Sequence, residues 1–315
     1  MTKSNTESRA KLLRYAISAG VAMALTGALS TVCTPAIAAE WSDNSISYLY
    51  GTRFRESYIP FNRNLPEVSI KKNIFNFTHV SGYKYGGNLF SVDFLKSDSN
   101  DPASGGSTQG AQDFYAVYRH DLSLSKISGT PMKWGIIRDV AITAGIDLSA
   151  KDTAFAARTW RPKIGPKLEF DVPNGFLNAA LVLQTEKNHC GTCAGPTQTA
   201  DPNFGSYGGF ESAWGIGVGS LPLKFSGIFS YYAKKGNNGD SSPTGPETFL
   251  RTRLLYDIGS AFGKKDTVLV GLGYQYWKNQ FGNTTTPVGY PFGGAGQPIP
   301  GIKTSTPLFI VEWHL

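Results

Sequence analysis

Apolar and polar positions alternate with period two along most of the chain beyond residue 40, which predicts strands with one greasy face rather than helices. From Ser45 the even positions are Ile46, Tyr48, Tyr50, Thr52 and Phe54, while the odd ones include Ser45, Ser47, Gly51, Arg53 and Arg55. The same parity gives Phe90, Val92 and Phe94 against Ser91 and Asp93, then Phe114, Ala116, Tyr118 and Leu122 against Asp113, Arg119 and Asp121. Val140 to Leu148 alternates against Asp139 to Ser149 without an apolar exception. The clearest segment interleaves Trp160, Pro162, Ile164, Pro166, Leu168, Phe170 and Val172 with Arg161, Lys163, Gly165, Lys167, Glu169 and Asp171.

Further strands follow through Leu177 to Leu183, Phe210 to Val218, Leu223 to Tyr231, Leu250 to Ile258 and Val268 to Tyr276. The last is Pro307, Phe309, Val311, Trp313 and Leu315, whose apolar face runs to the final residue. Asn73 to Tyr83 carries apolar residues on both parities and counts as a strand because its neighbours need a partner. Twelve strands result, an even number, with connections that tend to alternate short and long. Tight ones fall near Tyr85-Gly86-Gly87, Pro173-Asn174-Gly175 and Ser220-Leu221-Pro222, and long ones include Ser97 to Gln112, Lys187 to Gly208 and Lys278 to Lys303. This predicts an all-β transmembrane antiparallel barrel with both termini periplasmic. A soluble β-sandwich also alternates, but does not predict loop lengths that differ by side.

The ends agree. Lys3, Arg9, Lys11 and Arg14 precede an apolar run from Ala16 to Leu29, closed by Ala36-Ile37-Ala38. This is the pattern of a secretory signal peptide, residues 1–38, cut before Ala39, and the run is shorter than the ~20 residues of a spanning helix. Residues 39–315 form the barrel, and bacterial outer-membrane lipid surrounds it. Removing the four cations and one anion of the signal lowers the formal charge from +7 to +4, a weak footprint for nucleic acid, and no cofactor is expected. The C-terminal strand is the expected contact for the barrel-assembly machinery, although many such barrels finish on Phe where this chain has Leu315.

Inward charge falls on Arg53, Arg55, Arg119, Arg161, Lys163, Lys167, Arg251 and Arg253, facing Asp93, Asp139, Asp147, Glu169, Asp171 and Asp257. Facing three cations of one strand toward lipid costs ~2–4 kcal/mol each near the midplane, which fixes their side. Two readings stand: fixed charges that orient a polar solute, or mutually paired charges that fill a narrow interior. Tyr115, Tyr232, Phe249 and Trp277 either stack a solute ring or belong to the interfacial girdle. Cys190 and Cys193, in Cys-Gly-Thr-Cys within a long loop, suit one local disulfide in an oxidising compartment.

Several ordered segments resemble the Tsx-like nucleoside channels of bacterial outer membranes, including the branch called outer envelope proteins. Trp41 stands before a first strand ending Gly51-Thr52-Arg53-Phe54. Leu124-Ser125-Lys126-Ile127 leads to Trp134-Gly135, and Phe77-Thr78-His79-Val80-Ser81-Gly82-Tyr83 leads to Asn88 through Leu95. The resemblance implies a twelve-stranded barrel with a narrow lumen for nucleosides or similar small polar solutes, with Phe54 matching a pocket phenylalanine. Simple alternation instead puts Phe54 toward lipid and Arg53 inside, so a pocket role for Phe54 requires a bulge near Gly51 or a position above the membrane. The competing functions are a receptor or adhesin acting through the long loops, and a barrel enzyme, for which His79, His120, His189 and His314 come with no recognisable serine motif.

Overall fold

The computed structural model describes residues 39–56, 68–104, 107–153, 156–189, 199–239, 241, 243–283 and 303–315. Segment 1–38 and both Cys190 and Cys193 lie outside the described residues. Twelve strands occupy Glu40–Leu315. They are β1 (Trp41–Phe54), β2 (Ile70–Tyr83), β3 (Gly86–Ser97), β4 (Gln112–Ser123), β5 (Ile137–Lys151) and β6 (Thr159–Phe170), then β7 (Gly175–Lys187), β8 (Asn203–Gly217), β9 (Leu223–Tyr232), β10 (Glu247–Asp257), β11 (Val268–Lys278) and β12 (Lys303–His314). Each pairs antiparallel with its sequence neighbours, and β12 returns to β1 from Ser45↔His314 to Tyr50↔Phe309, closing the barrel. Closure leaves no strand edge, which is what a sheet needs in hydrocarbon, where an unpaired amide finds no water.

The start of β1 and the end of β12 lie at one end with mostly short links, and the long links lie at the other, where the β5–β6 link alone among the described ones is short. The β4–β5 link is the longest at the short-link end and owes its length to local structure. Its first residues form α1 (Leu124–Ser128), whose N-cap Ser123 accepts from the Lys126 amide and whose C-cap Gly129 takes a left-handed conformation. Asp139 at the start of β5 accepts from the hydroxyls of Ser123 and Ser125, which ties this link to the wall.

The outer face is apolar as the alternation predicts. Phe94, Trp160, Ile164, Leu181, Leu183, Leu272, Phe309 and Trp313 are exposed there. In β1 the register toward β2 slips between Gly51↔Lys72 and Phe54↔Ile70, one extra residue on the β1 side. This bulge reverses parity beyond it: Phe54 turns inward and is 3 % exposed, while Arg53 is exposed.

One sector of the interior departs from a polar lining. Leu49, Phe54, Ile70, Ile74, Leu255, Leu269, Leu308 and Ile310, from β1, β2, β10, β11 and β12, pack into one buried cluster with Leu95 against it. Asn73 to Tyr83 looked ambiguous because its neighbourhood is apolar on both sides of the wall: Ile74 packs inside, while Phe75 is exposed outside. The barrel is therefore filled over this sector rather than water-lined.

Candidate functional site

The ionised interior belongs mainly to β4 through β10, where inward positions fall on every second residue of each strand. Four charges form the middle group. Arg119 of β4 donates from Nε and Nη2 to Glu211 of β8, at 3.0 and 2.8 Å, and from Nη1 to Asp147 of β5 at 2.7 Å. Lys163 of β6 donates to both acids at 2.7 Å and to the Tyr232 hydroxyl at 2.9 Å. The Tyr232 hydroxyl donates to Glu211 at 2.6 Å, and Tyr115 donates to Asp147 at 3.3 Å. Two cations meet two acids, so the group is neutral in sum.

A second group of four lies toward the long-link end. Arg161 is 1 % exposed and lies 3.0 Å from each of Glu186 and Glu247. Lys235, from the β9–β10 connection, reaches Glu186, as does the Tyr207 hydroxyl, and the Trp277 indole donates to Glu247 at 2.8 Å. Arg161 and Lys163 both stand over the Tyr232 ring, at 5.1 and 4.6 Å, so this ring joins the two groups by cation–π contact. Lys235 follows β9, outside the strands, and its burial pushes the ammonium pKa down while Glu186 counters.

A third group closes the mouth nearer β1 through β5. Lys72 and Lys151 surround Glu56, with Asp101 2.8 Å from Lys151 and Asp113 3.4 Å from Lys72. Glu56 follows β1 in the mouth. Burial raises its carboxyl pKa, but Lys151 and Lys72 more than offset this and hold it at about 2. Because its folded pKa lies below the ordinary glutamate value of 4.5, its contribution to stability is full above 4.5 and is lost as pH falls toward about 2. Acid titration of barrel stability is expected to show this loss across that window. Glu56→Gln starts less stable and has a flatter profile there; equal slopes for the two proteins would contradict the assignment.

Three further inward cations are also paired. Arg251 reaches across from β10 to Asp93 of β3 at 2.7 Å, Arg253 contacts Glu312, and Lys167 lies 2.5 Å from Asp121. The Arg251–Asp93 bridge, with Tyr115 edge-on to Trp277 at 6.2 Å, crosses the interior from β3–β4 to β10–β11. It divides the apolar sector from the ionised one. Of the eight cations expected inside, Arg119, Arg161, Lys163, Lys167, Arg251 and Arg253 are there. Arg55 lies past the bulge, donating to Ser69, and Arg53 is exposed beside Thr306, whose Oγ1 accepts its amide.

Asp93 and Asp147 join the interior bridges, but Asp139 and Asp257 serve links at the short-link end, where Asp257 accepts from Ser260 and the Asp266 amide. Glu169 and Asp171 there meet Arg138 and Lys133. Glu186, Glu211, Glu247 and Tyr207 were readable by parity as inward positions but were not singled out. Lys235 and Glu56 lie outside strands, where alternation gives no signal. The histidines are held by other groups: His79 by Asn44, His120 by Asn88 and Tyr83, His189 by Asp201, and His314 by Asp43 and Glu312.

A closed antiparallel ladder with an apolar exterior and an ionised interior defines a bacterial outer-membrane β-barrel. No protein-family model matches the chain, and no curated relative matches it. Among solved structures, it is similar to the translocator domain of the autotransporter NalP from Neisseria meningitidis. Identity is 10 %, coverage is 94 % of this chain and 97 % of that one, and the TM-score is 0.40. It is also similar to the outer membrane protein opdK from Pseudomonas aeruginosa, at 10 % identity, with 87 % and 98 % covered and a TM-score of 0.27. A bacterial polysaccharide outer membrane secretin gives 11 % identity, coverage of 88 % and 99 %, and a TM-score of 0.35. Assignment to the outer membrane rests on this barrel's own ladder and surfaces.

Proposed function

We propose that the barrel is a channel for passive, selective diffusion of small polar solutes, with nucleosides as the class its interior suits. The supporting observation is that Tyr115, Tyr232, Phe249 and Trp277 all project inward, interleaved with the two groups of four charges. A nucleoside offers a flat ring and a rim of donors and acceptors. Stacking on such a ring contributes ~1–3 kcal/mol, and the rim can exchange hydrogen bonds with ions that otherwise hold each other. Pairing of these charges keeps the empty interior narrow, so passage proceeds by exchange of hydrogen bonds and saturates, unlike flow through a wide aqueous pore. The same reading places the short-link end and both termini in the periplasm, takes residues 1–38 as the signal removed on export, uses β12 as the strand met by the assembly machinery, and joins Cys190 to Cys193.

Swelling of liposomes carrying refolded 39–315 tests the solute class. Uridine and adenosine are expected to enter faster than glucose or succinate and to slow one another's entry saturably. Equal, non-saturating entry of all four would overturn the nucleoside reading.

A further inference from the structure

Strand β6 carries two prolines in mid-strand, Pro162 and Pro166, and proline has no amide hydrogen for a ladder. Toward β5 the register runs through both, as Ile146↔Pro162 and Ile142↔Pro166. Toward β7 the register also continues, but with rungs missing. Trp160↔Lys187, Lys163↔Gln184, Ile164↔Leu183 and Lys167↔Ala180 pair, while Arg161, Pro162, Gly165 and Pro166 have no β7 partner. The missing donors therefore face β7, and the β6–β7 seam loses rungs at two levels.

A hollow opens on the outer face at each break. The first, about 590 Å³, is walled by Ile164, Pro166, Leu181 and Leu183 and floored by Gly208 and Gly209. Its open side faces the apolar belt. The second, about 570 Å³, is bounded by Trp160, Thr185, Lys187 and Asn203. The outward row of β7 links them: Leu181, Leu183, Thr185 and Lys187 pass from hydrocarbon to hydroxyl to ammonium over about 20 Å at ~3.3 Å per residue. Lys187 pairs with Trp160 across the seam, Arg158 lies two residues before Trp160, and both cations are exposed, while Asp201 is held 2.8 Å from His189.

We propose that the β6–β7 seam is a binding site for an anionic membrane lipid, its acyl chain in the hydrocarbon hollow and its phosphate at Lys187 and Arg158. The row reproduces the order of groups in such a lipid, and its charge is complementary to the phosphate. Tryptophan at the boundary, as Trp160 is here, suits the level where chain gives way to headgroup. The site lies outside the barrel and does not depend on which solute crosses the interior.

Native mass spectrometry of the detergent-solubilised barrel, mixed with phosphatidylglycerol or phosphatidylcholine, tests the site. One retained phosphatidylglycerol is expected, favoured at least tenfold over phosphatidylcholine. Glycerol 3-phosphate, which has the headgroup charge without a chain, should not compete. Lys187→Gln is expected to remove the preference between the two lipids. Gly208→Leu fills the first hollow, where a Cβ on Gly208 meets nothing within 4 Å, and should abolish retention of both while heat-modifiable gel mobility stays that of the parent. Equal retention of the two lipids, displacement by glycerol 3-phosphate, or retention untouched by either substitution in a folded barrel would overturn the proposal.

Discussion

Arg161→Ala is expected to lower the unfolding free energy of the barrel by about 3–5 kcal/mol, the usual cost of removing one partner from a buried ion pair. Arg161 is the only cation within contact distance of Glu247 among the described residues, and it shares Glu186 with Lys235. Its loss leaves two buried acids with one cation. It also removes the guanidinium over the Tyr232 ring. Arg161→Lys should recover only part of the loss, because one ammonium cannot reproduce the planar fork that meets two carboxylates. Urea unfolding in lipid vesicles, read by tryptophan fluorescence, measures the difference. A change below about 1 kcal/mol, the range of exposed pairs, would show that these groups are solvated instead.

Phe54→Ala carries the other large effect. Phe54 is buried among Leu49, Ile70, Ile74 and Ile310, with Lys72 5.7 Å from its ring centre. Truncating a packed phenylalanine costs about 3–5 kcal/mol, part of it the cavity left behind. The same unfolding assay should report this loss. The ratio of uridine to glucose entry should stay as in the parent, because the ring is packed in the apolar sector across the Arg251–Asp93 bridge from the ionised one. A selective fall in uridine entry with stability preserved would instead give Phe54 the pocket role that the family resemblance implies.

The outer face was legible because charge turned toward lipid is costly: Trp160, Ile164, Leu272 and Phe309 share a parity with their apolar strand neighbours. The inner face carries no such constraint. Leu49, Leu269 and Ile310 sit at inward positions beside residues as polar as Ser47 and Glu312, so no rule of alternation separates an apolar inner sector from a charged one. The bulge after Gly51 was readable only as a condition on Phe54, since a single extra residue leaves no mark on composition.

Pairing lay furthest from view. Arg119 and Glu211 are 92 residues apart and meet only because β4 and β8 face each other across the interior. Arg251 and Asp93 are 158 apart and meet for the same reason. Parity put these cations inside, but the identity of their partners depends on the shape of the closed wall. Lys235 and Glu56 approach from connections, where neither parity nor register applies.

The proposed route through the membrane is the ionised sector between β4 and β10, and the ion selectivity of single channels reports on it. Refolded 39–315 in a planar bilayer under a potassium chloride gradient should give small, discrete openings with a reversal potential near zero, since its middle group of four charges is balanced. Glu211→Gln leaves Arg119 and Lys163 facing Asp147 alone and should move the reversal potential toward anion selectivity. A parent barrel without openings, or a reversal potential unchanged by Glu211→Gln, would contradict the account.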